Sequence, residues 1–188
     1  MLKDEINKAL EVLHAGGVIL YPTDTVWGIG CDATNEEAVK KVFEIKRRAD
    51  SKAMISLIDN PNRLVRYVRN IPDVAWDMIE LATRPLTIIY DDVIGLAPSM
   101  IAEDGSAAFR VTKEEFSHEL CFRFQKPLVS TSANISGEPT AATFDQITDD
   151  IKNAVDHIVH YSQRCKEKHK PSSIIKISNN SEVKIIRQ

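Results

Sequence analysis

Apolar residues recur at three- and four-residue intervals from the start of the chain: Leu2, Ile6, Ala9, Leu10 and Leu13, followed by Gly16-Gly17. That spacing lines one face of a helix, and a glycine pair ends it. Val18-Ile19-Leu20-Tyr21 is a short unbroken apolar run between turn residues, which predicts a buried strand. It opens into Pro22-Thr23-Asp24-Thr25-Val26-Trp27-Gly28-Ile29-Gly30, polar and glycine-punctuated, which reads as a loop. Thr34 stands three residues before Glu37, a capping-box spacing that predicts a second helix from that point. Val39, Val42 and Phe43 form its apolar face, and Lys46-Arg47-Arg48 follow it. Further on, the pattern predicts a strand over 54–58 and two short helices over 64–68 and 74–81. Strands over 86–90 and 107–111, a helix over 114–124 and a strand over 127–129 come next. Thr143 with Gln146 predicts another capped helix. A strand over 158–160 follows, then a hairpin of 174–177 and 183–186 around Asn179-Asn180. Helices and strands mix throughout, with no internal repeat, low-complexity tract or linker. The expectation is one α/β domain over 1–188.

Composition narrows the class. The 188 residues carry 24 basic and 27 acidic side chains, a net charge of −3, which excludes a generally basic nucleic-acid coat while leaving room for local patches. With 43% hydrophobic and 27% charged residues, the chain buries a sizeable core and is not disordered. No apolar run approaches the roughly 18 residues a membrane helix needs. The first residues are charged and amphipathic, unlike a signal peptide. Cys31, Cys121 and Cys165 are odd in number and far apart, so a disulfide framework is not expected and a reducing cytoplasm is.

Three polar clusters follow or border predicted strands, where open α/β sheets bind ligands. In Pro22-Thr23-Asp24-Thr25, hydroxyls and a carboxylate can hold a small polar ligand; equally, Thr and Asp can bond their own backbone in a turn. Lys46, Arg47, Arg48 and Lys52 suit phosphates, or else solvate the end of a helix. Ser130-Thr131-Ser132-Ala133-Asn134-Ile135-Ser136-Gly137 groups four hydroxyls and an amide behind an apolar strand, where small side chains let backbone N–H groups reach an anion. Neither a Walker motif nor Gly-x-Gly-x-x-Gly occurs. His157, His160, Cys165 and His169 match no familiar zinc spacing.

Taken in order, Tyr21-Pro22-Thr23-Asp24-Thr25-Val26-Trp27-Gly28-Ile29-Gly30, Lys46-Arg47-Arg48 and Lys126-Pro127-Leu128-Val129-Ser130-Thr131-Ser132-Ala133-Asn134-Ile135-Ser136-Gly137 resemble the YrdC/Sua5/TsaC family. The resemblance runs from about Gly16 to Arg187, in the short single-domain form. It implies a twisted open mixed sheet with flanking helices. The implied activity is synthesis of threonylcarbamoyl-adenylate from L-threonine, bicarbonate and ATP with Mg²⁺, for the threonylcarbamoyl modification of tRNA. No protein-held metal and no covalent nucleophile are implied. Matching residues carry implied roles: Thr23, Arg110, Ser130 and Ser172 at threonine; Lys46, Arg48, Lys52, Ser106, Ser132, Asn134, Thr140 and Arg187 at the nucleotide. Partners implied are the downstream tRNA threonylcarbamoyl transferase proteins, with weak tRNA or double-stranded RNA binding.

Three positions depart from the family's strings. Thr83-Arg84-Pro85-Leu86-Thr87 puts Arg84 where Trp-Pro-Gly-Pro-x-Thr has glycine; Ala49 replaces the proline after Lys-x-Arg; Lys113 replaces the proline of Val-Arg-x-Pro. Two rival readings stand beside the synthase. One is a non-catalytic double-stranded RNA-binding module that uses 46–52 and 164–170. The other is a carbamoyl-transfer domain like that of hydrogenase maturation proteins, whose acylphosphatase and zinc-finger regions are absent here.

Overall fold

The computed structural model describes residues 1–47, 54–163 and 171–188. Helix α1 (Leu2–His14) buries Ile6, Ala9 and Leu13, as its spacing predicts. β1 (Ile19–Tyr21) is buried throughout. The predicted loop over 22–30 ends instead in a second strand, β2 (Gly28–Gly30), antiparallel to β1 with Gly30 opposite Ile19. The two glycines of Gly-Ile-Gly disfavour a strand. The reason for glycine is close approach: a Cβ on Gly30 would lie 2.5 Å from the Tyr21 ring and 2.6 Å from the Val129 carbonyl oxygen.

Helix α2 (Glu36–Ile45) is capped by Asn35, whose side-chain oxygen accepts from the N–H groups of Glu37 and Ala38. The predicted Thr34 cap does not form, because Asp32 takes both the hydroxyl and the amide of Thr34. β3 (Ile55–Ile58), α3 (Asp73–Leu81), β4 (Leu86–Tyr90), β5 (Ala107–Val111) and α4 (Glu115–Phe124) lie where the pattern puts them. The helix expected over 64–68 is a 3₁₀ segment, Pro61–Arg66. β6 (Leu128–Ser132) runs past its apolar residues into the hydroxyl cluster. Thr143 makes no side-chain cap and precedes only a 3₁₀ turn; α5 starts later, at Asp149–Ala154. β7 (His157–Ile158) and the hairpin β8 (Ser173–Ile177) and β9 (Val183–Arg187) complete the sheet.

The strands among the described residues form one mixed sheet in the order β7-β1-β2-β6-β3-β5-β4-β8-β9. One face packs on α1 and α4 through Ile6, Leu13, Tyr21, Leu57, Phe116, Leu120 and Leu128. The other packs on α2 and the central segments through Val39, Val42, Phe43, Ile58, Ile88, Tyr90 and Phe109. Directly paired residues share a face. Leu57 is paired with Leu128 on one side and Arg110 on the other; Arg110 is paired with Thr87, and Ile55 with Ser130. The α1/α4 face therefore changes from apolar to polar as it crosses from Leu128 and Leu57 to Arg110 and Thr87. No described helix is long and apolar enough to cross a membrane.

Candidate functional site

The polar part of that face lines a cavity of about 310 Å³, with Thr25, Arg110, Ser130, Thr131, Ser132, Thr140, Ser172 and Arg187 among its walls. Arg110 is central. Its side chain is 3% exposed, and one guanidinium nitrogen lies 3.0 Å from a carboxylate oxygen of Asp24. The same nitrogen donates to the Thr25 hydroxyl at 3.4 Å. Its Nε is buried with no hydrogen-bond acceptor among the described residues. A buried donor left unmade costs on the order of 1–3 kcal/mol, more when it is charged. An acceptor entering the cavity removes that cost, and a carboxylate does so with two parallel bonds.

Around Arg110 the strands hold hydroxyls at fixed positions. Ser130 is 7% exposed on β6. Ser172, at 1%, shares a 2.8 Å hydrogen bond with Thr87 just before β8. From β9, Arg187 donates to the Ser172 carbonyl oxygen at 3.1 and 2.8 Å, and so ties down the segment that presents Ser172. This lining of cations and hydroxyls, with no carboxylate among the described residues that form it, suits anionic ligands.

Other predicted residues lie elsewhere. Thr23 spends its hydroxyl within its own loop, donating to the Val26 carbonyl oxygen at 2.7 Å and sharing a 3.1 Å bond with Thr25. It is Thr25 that lines the polar cavity. Lys46 is 2% exposed, so the solvated basic face expected there does not include it. Its ammonium donates to the carbonyl oxygens of Ser132 and Asn134 at 2.5 and 2.7 Å, which staples the end of α2 to the hydroxyl loop. Arg47 is exposed and pairs with Asp150 at 3.1 Å. Asn134 donates to the carbonyl oxygens of Ile135 and Glu138 and shapes the turn, while its buried Oδ1 has no partner among the described residues. Ser106 donates to Asp104, four residues before Arg110 and outside this cavity's lining. Arg48, Lys52, Cys165 and His169 lie outside the described residues.

Sequence reasoning placed Asp24, Thr25 and Thr131 in its polar clusters without giving them individual roles, and it missed Thr87. Asp24 and Thr87 required the fold, since they act on residues far along the chain. Among the described residues no group of three His, Cys, Asp or Glu side chains is arranged to hold a metal. His157 and His160 both face Glu5, which accepts the His160 backbone N–H at 2.7 Å.

The Sua5/YciO/YrdC family, described as telomere recombination, matches residues 11–188. A Methanocaldococcus jannaschii relative, provisionally named threonylcarbamoyl-AMP synthase, is 35% identical over 188 residues, covering 97% of this chain and 87% of its own. The threonylcarbamoyl-AMP synthase of Pseudoalteromonas translucida is 36% identical over 158 residues, covering 80% of this chain and 84% of its own. Among solved structures, P. abyssi Sua5 complexed with L-threonine superposes with a TM-score of 0.80 at 25% identity, over 91% of this chain and 50% of that one. E. coli YciO superposes with a TM-score of 0.84 at 22% identity, over 100% of this chain and 90% of its own, a likeness of fold alone. The implied mixed open sheet is thus the fold observed, and the chain belongs to the Sua5/YciO/YrdC family.

Proposed function

We propose that this chain is an L-threonylcarbamoyladenylate synthase, a nucleotidyltransferase that joins L-threonine, bicarbonate and ATP. One observation carries the reading: a buried arginine whose Nε has no acceptor among the described residues, set among strand-held hydroxyls in a cavity that no described carboxylate lines. The naming of the P. translucida relative and the threonine complex of P. abyssi Sua5 support it.

In this reading Arg110 clamps the threonine carboxylate, with Asp24 holding the guanidinium in place. Thr25, Ser130 and Ser172 surround the bound amino acid, and a site built to bond its hydroxyl rejects analogues that lack one. The threonine amine adds to CO₂ derived from bicarbonate and loses a proton, giving a carbamate. A carbamate oxygen then attacks the α-phosphorus of ATP, and the bond to the β-phosphate oxygen breaks as pyrophosphate leaves. The nucleophile comes from the substrate, so the protein's task is positioning and charge stabilisation. Mg²⁺ bound to the triphosphate would neutralise part of its charge. Ser132, Thr140 and Arg187 face the nucleotide from the cavity wall, while Lys46 and Asn134 hold the loop that presents it. Arg48 and Lys52 are assigned to the phosphates by the family resemblance. The product goes in the cytoplasm to the transferase proteins that modify tRNA.

The test is pyrophosphate release with each substrate omitted in turn. Release should require threonine and bicarbonate together. Release at an undiminished rate without threonine refutes the assignment.

A further inference from the structure

A second cavity, of about 360 Å³, opens on the opposite face of the sheet. Its interior is apolar: Ile58, Ile88 and Phe109 from the strands, and Leu64, Ile79 and Ala82 from the segments that cover them. This size falls in the range of small-molecule sites, about 300–1,000 Å³. Ala82 brings only a methyl group to this wall; it stands two residues before Arg84, at the position where the family's Trp-Pro-Gly-Pro-x-Thr string has tryptophan.

The mouth carries Asp24, Arg84, Lys113 and Glu114, and its two acids are already engaged. Asp24 pairs with Arg110 at 3.0 Å. Glu114 caps α4, its two carboxylate oxygens accepting from the N–H groups of Phe116 and Ser117 at 3.0 and 2.7 Å. The two cations are differently placed. Lys113 donates to the Ala82 carbonyl oxygen at 3.3 Å, and Arg84 is exposed; neither has a carboxylate partner among the described residues. Arg84 and Lys113 are also two of the three departures from the family's strings. An apolar interior under a rim of available cations recognises a molecule with a hydrocarbon body and one anionic head.

We infer that this second cavity is a ligand site for a small apolar monocarboxylate, with the hydrocarbon part against Ile88 and Phe109 and the carboxylate at Arg84 and Lys113. The site is independent of the synthase reading. It does share a loop with the polar cavity, since Thr23 and Asp24 form part of its wall and Thr25 and Val26 part of the other.

Octanoate is the probe, titrated into the full chain and followed by calorimetry and by amide resonances. It should bind, shift the resonances of Ala82, Ile88 and Phe109, and raise the melting temperature. Octylammonium, with the same body and the opposite charge, should bind at least tenfold more weakly. Arg84→Glu, at an exposed position, should weaken octanoate at least tenfold with the fold intact. Ala82→Trp should fill the cavity and abolish binding. No octanoate binding by the wild type overturns the inference. So does equal binding of octylammonium, or binding that survives in folded Ala82→Trp with resonance shifts confined to other residues.

Discussion

Arg110 has two roles in this structure, and they can be separated. It neutralises Asp24 inside the protein, with side-chain exposures of 3% and 12%, and in the synthase reading it grips the threonine carboxylate. Arg110→Met removes the cation while keeping a long apolar stem. Removing one partner of a buried pair costs about 3–5 kcal/mol. The value expected here is the lower end, about 3 kcal/mol, because Asp24 keeps some contact with water. Asp24→Asn in the same chain discharges the remaining carboxylate, so the double variant should recover much of the lost stability. The coupling falls within the 0.5–3 kcal/mol typical of residues in contact. Threonine affinity should behave differently. Losing hydrogen bonds to a charged group costs about 1.5–3 kcal/mol, on the order of a 10- to 100-fold rise in Kd, and Asp24→Asn restores none of it. Arg110→Lys should lie between, since an ammonium supplies charge without the planar fork. Urea unfolding gives the stabilities and calorimetric titration the affinities. If the double variant binds threonine as the wild type does, Arg110 serves only Asp24 and leaves the ligand site.

Lys46→Met should lower stability by about 1–3 kcal/mol, since the Asn134 carbonyl loses its lysine donor while the Ser132 carbonyl keeps the Asn134 backbone N–H. A solvated cation would cost under about 1 kcal/mol, so urea midpoints decide between the two. Burial raises the pKa of Glu5, but the His160 backbone N–H and the Lys8 ammonium outweigh it and bring the carboxyl from an ordinary 4.5 down to about 2. The depressed value favours the fold fully above pH 4.5, and that contribution, which solvent screening reduces, is lost as pH falls towards 2. Glu5→Gln should flatten the fall in stability across that window, and an unchanged acid-unfolding profile would count against the pairing. Gly30→Ala should cost about 1–3 kcal/mol, since its new methyl meets the Tyr21 ring and a backbone oxygen that β6 holds in place. A thermal melt should show a drop of several degrees.

What the sequence made legible follows from how local each cause is. β4 and β5 have the bounds read from the pattern, because short apolar runs between turn residues need no distant partner to be recognised. The cap of α2 was less local: the Thr34–Glu37 spacing suits a cap, but Asp32 binds Thr34 and the cap falls to Asn35. β2 was hidden because Gly-Ile-Gly owes its place to Tyr21 and Val129, the second of them about a hundred residues away. The site divides in the same way. Ser130, Ser132, Arg110 and Ser172 were legible as motif residues, yet which of them share a cavity depends on register. Thr23 and Thr25 make the point most sharply. Neighbouring residues of a strand or extended segment point to opposite sides, but these two are an even step apart and differ because the loop turns one hydroxyl onto Val26. Lys46 shows a related limit: a lysine beside two arginines reads as surface charge until the fold brings two carbonyl oxygens around its ammonium. Side chains whose partners lie nearby in sequence can be assigned from pattern. For those that act across the sheet, a substitution tests the partner as much as the residue, which is why the Arg110 experiment needs Asp24 changed with it.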